Sequence, residues 1–404
     1  MKKIKVISFL SMALLGCGTA SAQQSNAAAI ERPKLVVGIV VDQMRWDYLY
    51  RYQKRYTDGG FKRLLGEGFS CENTMIPYVP SVTAIGHTCI YTGSVPSIHG
   101  IAGNNFVKDG KKVYCTDDDS VKPVGTTSVA ALMSPRNLWV STIGDEMKIA
   151  SNGRAKVVGV ALKDRASILP AGHNPNGAFW FDDQTGCFIT SSYYMDRLPK
   201  WVEAFNDKRL PEQYLSQKWN TLYPKNTYTE STTDENEYEN GIREGVKATL
   251  PLNLPELYKK YGYGIIRNTP FGNSLTLDMA KAAIDGEQLG ADDETDLLAV
   301  SCSSTDYIGH QVGTHAIETE DTYLRLDKAI ADFLAYLDSK VGKGNYLVFL
   351  SADHGAMNNA AFLQDRRIPA GSWDASATAK KLNHVLAKEY PEAGDIVKTV
   401  MNYQ

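Results

Sequence analysis

The sequence lacks a strong excess of charge of either sign. Its 404 residues include 43 lysines and arginines against 46 aspartates and glutamates, which gives a formal net charge of −3. This balance gives no reason to expect a nucleic acid or an anionic membrane surface as partner, because both are bound chiefly through basic surfaces. An anionic substrate would have to be held by a few local cations or by metal ions.

Long apolar runs and repeats are also missing. After the N-terminus no stretch approaches the roughly 20 apolar residues that cross a bilayer, so no membrane span is predicted. The absence of internal repeats excludes a solenoid or propeller. Cysteine is scarce, with six residues in all, and the spacing of the five after Cys17 matches no zinc-finger pattern. An exported protein could form one or two disulfides from them, but the sequence does not specify the pairs.

The N-terminus has the pattern of a secretory signal peptide. A basic segment at residues 2–5 precedes an apolar stretch at residues 6–15, and small residues at 20–22 form a cleavage site. This pattern predicts export of the protein, with residues 1–22 removed. Lipoprotein processing at Cys17 is the alternative, since the residues before it loosely resemble a lipobox.

From residue 33 onward, apolar strands alternate with helical patterns, which predicts an α/β fold with a mostly parallel central sheet and helices on both faces. A segment rich in Tyr, Asn, Thr and Glu at 201–267 is predicted to be a cap insertion, so that the α/β core comprises residues 33–200 and 268–404. The predicted strands are 34–41, 156–162, 296–301 and 345–350, and the main predicted helices are 46–65, 83–91, 275–284 and 318–337.

Acidic and histidine residues follow three of the predicted strands. They are Asp42 after LVVGIVV, Asp306 and His310 after LLAVSCSST, and the adjacent Asp353 and His354 after YLVFLSA. Open α/β sheets gather functional groups at the carboxyl ends of their strands, and carboxylates and imidazoles are metal ligands. Taken alone, the second pair could be a helix cap and a surface histidine. Together the three patches predict a two-metal hydrolase.

Thr83, in SVTAIGH, is the candidate nucleophile. It lies at the predicted start of a helix, where the helix dipole and a metal ion would stabilise its alkoxide. It could instead be only the N-cap, a role that Ser81 could also fill. Lys163 and Arg165, after a strand, and Asn104, in the loop GIAGNNF, are candidate donors to phosphoryl oxygens, although surface charges and a turn would also explain them.

Six segments resemble the alkaline phosphatase superfamily: VVDQMRWDYL, VPSVTAIGHTCIYTGSVPSIHGIAGNNF, KDR, TPFGN, STDYIGH and SADHG. The resemblance extends from Lys34 to Gly355 and beyond, and it is most specific for the PafA-type branch of periplasmic phosphatases that use a threonine nucleophile. It implies a periplasmic enzyme that hydrolyses small phosphate monoesters through a phosphothreonine at Thr83. It also assigns Lys163, Arg165 and Asn104 to the phosphoryl oxygens.

The resemblance further implies two zinc ions, the first held by Asp42, Thr83, Asp353 and His354, and the second by Asp306, His310 and one more histidine. In the family this last histidine lies far toward the C-terminus, beyond residue 404. His384 is the only histidine after His354 and matches no family motif. The expectation is a C-terminally truncated family member whose second zinc site lacks its third ligand and whose turnover is impaired.

Two alternative functions remain from the sequence. A phosphodiesterase or nucleotide pyrophosphatase of the same superfamily would share the metal ligands, but the pair Lys163 and Arg165 disfavours it because a diester has one fewer anionic oxygen. A catalytically impaired fragment that binds zinc or phosphate is the other. Four further histidines have no evident partner and are interpreted as structural or exposed: His87, His99, His173 and His315.

Overall fold

Near-continuous apolar sequences form the central strands, as expected where both faces of a sheet are covered. The computed structural model describes residues 32–108, 110–243, 245–398 and 400. The predicted signal peptide and Cys17 lie outside these residues. The strands are β1 (Leu35–Val41), β2 (Asn105–Lys108), β3 (Lys111–Tyr114), β4 (Pro123–Val124), β5 (Val157–Ala161), β6 (Gly177–Asp182), β7 (Cys187–Ser191), β8 (Lys218–Trp219), β9 (Leu252–Asn253), β10 (Asp296–Cys302) and β11 (Tyr346–Ser351).

Seven of these strands form the main sheet, in the order β11-β1-β10-β5-β6-β7-β4. The first five run parallel to one another, whereas β7 and β4 are antiparallel to their neighbours. Separate two-stranded sheets are formed by β2 with β3 and by β8 with β9. The predicted α/β fold with a mostly parallel central sheet is therefore confirmed.

Helices surround the sheet. They are α1 (Tyr48–Arg51), α2 (Phe61–Glu67), α3 (Thr83–Thr92), α4 (Pro96–His99), α5 (Ile143–Ala150), α6 (Asp164–Ala171), α7 (Lys200–Asn206), α8 (Leu210–Leu215), α9 (Leu254–Tyr261), α10 (Phe271–Glu287), α11 (Ser304–Val312), α12 (Ile317–Leu337), α13 (Ala360–Asp365) and α14 (Ala375–Glu389). Short 3-10 turns lie at Gln53–Arg55, Val129–Ala131, Lys225–Thr227, Tyr263–Asn268 and Pro391–Ala393, and a π-helical turn lies at Asp338–Gly342. None of the helices in the described ranges is long and apolar enough to cross a membrane.

The prediction of one helix over residues 46–65 is wrong, because the chain breaks there into α1, a 3-10 turn and α2. Asp327 on α12 explains the break. Its carboxylate accepts hydrogen bonds from the backbone N–H of Thr57 at 2.6 Å and of Phe61 at 2.8 Å. A tertiary acceptor thus satisfies the N–H groups that a continuous helix would pair internally.

The segment predicted to be a cap, residues 201–267, shares its apolar core with the sheet. Its buried side chains Trp219, Ile242, Leu254 and Ile265 belong to one hydrophobic cluster with β1 and β10. The described residues from Pro33 onward form one compact unit. The boundaries of the cap remain a prediction.

Glu318, near the start of α12, has an unusual environment for a carboxylate. Its side chain is 0% exposed, and neither carboxylate oxygen has a hydrogen-bond partner within the described residues. Burial, together with the charge of Glu239, raises the pKa of Glu318 to about 9. The folded protein therefore favours the protonated acid, whereas the unfolded chain ionises it near pH 4.

This difference makes part of the stability depend on pH. The contribution of Glu318 is fully present below its unfolded pKa and is lost as the pH rises toward 9. We expect Glu318→Gln, which cannot ionise, to raise the free energy of unfolding by about 1–3 kcal/mol more at pH 9 than at pH 5. Urea unfolding at both pH values measures this, with the exposed Glu256→Gln on α9 as control. An equal gain in the free energy of unfolding at both pH values would contradict the raised pKa of Glu318.

Candidate active site

The candidate ligands converge because their strands are neighbours. β1 lies between β10 and β11, with Val41 paired to Cys302 and Val40 paired to Ser351, so the carboxyl ends of all three strands lie together. Asp42 directly follows β1, and Asp353 with His354 closely follows β11. Asp306 lies in the first turn of α11, just after β10. The topology thus brings together residues that are up to 312 positions apart in the numbering.

Asp42, Asp306 and His354 form a compact group in which one ligand atom from each lies within 4.8 Å of the others. His354 Nε2 is 3.4 Å from Asp42 Oδ1 and 3.8 Å from Asp306 Oδ1, and it is 3.7 Å from Asp353 Oδ2. All four side chains are buried. The predicted metal ligands are therefore close neighbours, with the exceptions given below.

Two buried oxygens in this group favour a cation. Asp42 Oδ1 and Asp353 Oδ2 make no well-formed hydrogen bond within the described residues, although His354 Nε2 lies 3.4 Å from the first and His87 Nδ1 lies 3.2 Å from the second. A buried carboxylate oxygen that is incompletely satisfied is costly, and a coordinated metal ion removes that cost. Three carboxylates with one imidazole are also ligand types that zinc accepts. The residues present therefore fit the zinc that the sequence resemblance implies.

His354 has a fixed orientation. Its Nδ1 lies 2.9 Å from the backbone oxygen of Gly355, which can only accept, so Nδ1 carries a proton and Nε2 faces the carboxylates. Burial lowers the pKa of His354, but the charges of Asp353 and Asp42 outweigh it and raise the pKa to about 10. The carboxylates thus create a strong preference for positive charge at Nε2, whether from a proton or from a metal ion.

Lys163, the N-cap of α6, lies among the same carboxylates. Its Nζ donates to Asp42 Oδ2 at 2.7 Å and to Asp306 Oδ2 at 2.6 Å. Burial would lower the pKa of Lys163, but Asp306 and Asp42 raise it above its ordinary value. The ammonium group is therefore charged and is 3.2 Å from Thr83 Oγ1, beside the candidate nucleophile.

Thr83 is the first residue of α3, and Val82 is the N-cap without a side-chain hydrogen bond. The alternative that Thr83 serves only as N-cap is therefore wrong. Asn104 supplies the cap from a distance, since its Oδ1 accepts from Ala84 N at 2.9 Å. Because the oxygen of this carboxamide contacts the helix, its NH2 group is the donor left for a ligand. Thr83 is 3% exposed and lies at the positive end of the helix.

α3 packs closely against the loop after β11. A Cβ placed on Gly86 would lie 2.1 Å from the backbone oxygen of Asp353, so only glycine permits this approach. His87, one residue on, has Nδ1 at 2.9 Å from Thr83 O and 3.2 Å from Asp353 Oδ2, and its Nε2 is 2.8 Å from Ser301 Oγ. The interpretation of His87 as structural holds in part, but it contacts both a candidate ligand and the backbone of the candidate nucleophile.

Gln43 is a second site residue that the sequence did not indicate. Its backbone N–H donates to Asp353 Oδ1 at 3.1 Å, and its Nε2 donates to Asp306 Oδ1 at 2.9 Å. Its φ of 64° lies in the left-handed region, which a non-glycine residue rarely adopts. Strain of this kind is typical of functional sites. His87 could have been found from its position four residues after Thr83, on the same helix face, but nothing in the sequence indicates the backbone of Gln43.

His310 is the remaining predicted histidine ligand, whereas His384 matches no family motif and is not among the predicted ligands. His310 Nε2 lies 3.1 Å from Asp306 Oδ1, as the i, i+4 spacing on α11 predicts, but its side chain is 49% exposed. His310 is thus at the rim of the group. His384 is exposed on α14 and is not part of the ligand group.

A cavity of about 450 Å³ lies next to the candidate phosphoryl donors. Its lining residues include Lys163, Arg165, Tyr307, Arg267 and Trp180. Arg165 Nη1 donates to Tyr114 OH at 2.8 Å. The cavity is large enough for the organic part of a small phosphate ester.

Comparison with known proteins agrees with this geometry. A family model described as "Type I phosphodiesterase / nucleotide pyrophosphatase" matches residues 36–398. The chain is 57% identical over 396 residues to alkaline phosphatase PafA of Elizabethkingia meningoseptica, covering 97% of this chain and 71% of that protein. It is 54% identical over 382 residues to alkaline phosphatase PhoV of Synechococcus elongatus, covering 91% of this chain and 68% of that protein.

A solved structure is similar as well. The crystal structure of wild-type alkaline phosphatase PafA matches with a TM-score of 0.87 and 58% sequence identity, covering 90% of this chain and 70% of that chain. The chain therefore belongs to the type I phosphodiesterase/nucleotide pyrophosphatase family and, within it, to the alkaline phosphatases of the PafA kind.

Proposed function

We propose that this protein is a zinc-dependent phosphate monoester hydrolase that acts through a phosphothreonine at Thr83. The observation that carries the proposal is the meeting of a buried threonine hydroxyl, a charged lysine and a group of metal ligands at one end of the sheet. Asp42, Asp353 and His354, with Thr83, would hold one zinc ion, and Asp306 with His310 would contribute to a second. When bound, zinc supplies Lewis-acid stabilisation of the threonine alkoxide and of the leaving oxygen.

The remaining steps of the proposed reaction are assigned to residues of the chain. Thr83 Oγ1 attacks phosphorus in line with the leaving oxygen, forming a phosphothreonine and releasing the alcohol. Lys163, Arg165 and the NH2 group of Asn104 hold the non-bridging oxygens, where negative charge is spread in the transition state. Water then attacks the phosphothreonine, which releases inorganic phosphate and restores the hydroxyl.

Small monoesters are the proposed substrates. The cavity beside Lys163 and Arg165 offers room for the alcohol portion, and the two cations match the extra anionic oxygen of a monoester. A phosphodiesterase is the second candidate, because the matching family model carries that description. Export to the periplasm belongs to the same proposal and depends on the N-terminal pattern alone.

Removal and return of the metal tests the proposal. We expect purified protein to hydrolyse para-nitrophenyl phosphate, to lose this activity on dialysis against a chelator, and to regain it with zinc, because Asp42 and Asp353 require a cation. Asp42→Asn removes one of these carboxylates and should lower both the zinc content, measured by metal analysis, and the rate of hydrolysis. Asp285→Asn, a partly exposed ion-pair residue on α10, is the control. Full activity after complete metal removal would contradict the proposal.

A further inference from the structure

Tyr114 contacts one of the proposed phosphoryl donors directly. Its hydroxyl oxygen accepts a hydrogen bond from Arg165 Nη1 at 2.8 Å and donates one to Asp164 Oδ1 at 2.7 Å. The phenol is the side-chain partner that the structure gives to this guanidinium group, whose Nε is buried without a partner within the described residues. Among the described side chains, the Tyr114 hydroxyl is thus the hydrogen-bond partner recorded for the Arg165 guanidinium group.

The direction of both hydrogen bonds is fixed by protonation. Burial and the charge of Asp164 raise the pKa of Tyr114 above its ordinary value, so the phenol stays neutral. It has one proton, which goes to Asp164 because a carboxylate can only accept. The oxygen lone pair then remains for the N–H of Arg165. The Asp164 carboxylate also accepts from Thr116 Oγ1 at 3.2 Å, which holds it in place.

Tyr114 and Asn104 lie at the base of the same hairpin, formed by β2 and β3. Tyr114 pairs with Asn105 in the hairpin register, and Cys115 N donates to Asn104 O at 3.0 Å. Asn104 is fixed in turn by its contact with Ala84 N. A single hairpin therefore positions two of the three proposed donors to the phosphoryl group.

We propose that Tyr114 is a positioning residue that holds Arg165 in the orientation required to bind the phosphoryl group, with the β2–β3 hairpin as the common support of Arg165 and Asn104. This inference rests on the proposed function of Arg165. It assigns Tyr114 no contact with the substrate. Its effect on the reaction passes entirely through the guanidinium group.

A double-mutant cycle tests the inference. Tyr114→Phe keeps the ring, which packs against the buried cluster that contains Cys115 and Leu138, and removes only the hydroxyl. We expect it to weaken the binding of inorganic phosphate and to lower kcat/KM for para-nitrophenyl phosphate, each by about 5- to 10-fold. In an Arg165→Ala background the same substitution should change neither quantity, because coupled residues are not additive.

The matched control is Tyr56→Phe, which removes a buried hydroxyl that donates to Tyr48 O at 2.9 Å, away from the site. It should lower the stability to urea but leave phosphate binding and kcat/KM unchanged. Equal losses from Tyr114→Phe with and without Arg165, or no loss at all, would overturn the inference. A wild-type protein that binds phosphate but hydrolyses no monoester would contradict only the proposed function, since the binding cycle still measures the coupling.

Discussion

Replacing Thr83 by alanine is expected to lower kcat/KM for para-nitrophenyl phosphate by about 1,000-fold or more, because it removes the attacking oxygen and leaves only the residual catalysis of the binding groups. Thr83→Ser should retain part of the activity, since it keeps the hydroxyl at the start of α3 beside Lys163 Nζ. Steady-state kinetics of the zinc-loaded protein measure both effects.

A second measurement separates a nucleophile from a residue that only packs. Acid quenching with labelled phosphate ester should trap phosphothreonine in the wild type, phosphoserine in Thr83→Ser and no label in Thr83→Ala. Thr88→Ala is the control, because Thr88 lies on the same helix and its hydroxyl donates to Ala84 O at 2.6 Å within the helix. An alanine variant of Thr83 with activity within about tenfold of wild type would remove Thr83 from this role.

The second large effect concerns discrimination between esters. Replacing Lys163 and Arg165 together by alanine should lower kcat/KM for a monoester by about 1,000-fold and for a diester by about tenfold, because hydrogen bonds to charged groups contribute about 1.5–3 kcal/mol each and a diester has one fewer anionic oxygen. Para-nitrophenyl phosphate and its methyl ester share one leaving group, so the ratio of the two losses reports the phosphoryl contacts alone.

The single variants Lys163→Ala and Arg165→Ala should differ in their effect on stability. Lys163 is also the counterion of Asp42 and Asp306, so Lys163→Ala should reduce stability as well as activity, since it removes the ammonium group that pairs with two buried carboxylates. Arg165→Ala has no such ion pair to break and should affect mainly the kinetics. Equal losses on monoester and diester in the double variant would show that the pair does not recognise a monoester.

Sequence alone could predict which candidate ligands lie close together, because each strand of a parallel sheet can be recognised from its own short apolar run. Each of Asp42, Asp306 and Asp353 follows an apolar run, and runs of that kind become neighbouring strands whose ends share an edge. Thr83 at a helix start required only the break at Pro77 and Pro80 before it. The strand and helix bounds near these residues agree with the structure to within a few positions.

What the sequence could not predict depends on tertiary contacts. The break between α1 and α2 is set by Asp327, which lies more than 260 positions away from Thr57. The hydrogen bonds of Arg165 with Tyr114 and of Gln43 with Asp353 likewise join residues distant in sequence. No periodicity or spacing contains that information, because these hydrogen bonds exist only after the sheet has formed.

The placement of β1 between β10 and β11 has a consequence for biosynthesis. Gln43 N and Asp353 Oδ1, which are hydrogen-bonded, are separated by 310 positions. A ribosome must therefore add more than three hundred residues after the first candidate ligand before the last one exists. β1 lacks its neighbour β10 until residue 302 has been added and its neighbour β11 until residue 351 has been added, and contacts of such long range form slowly. The nascent chain cannot assemble the candidate ligand group early, so the group forms only after synthesis of this segment is complete.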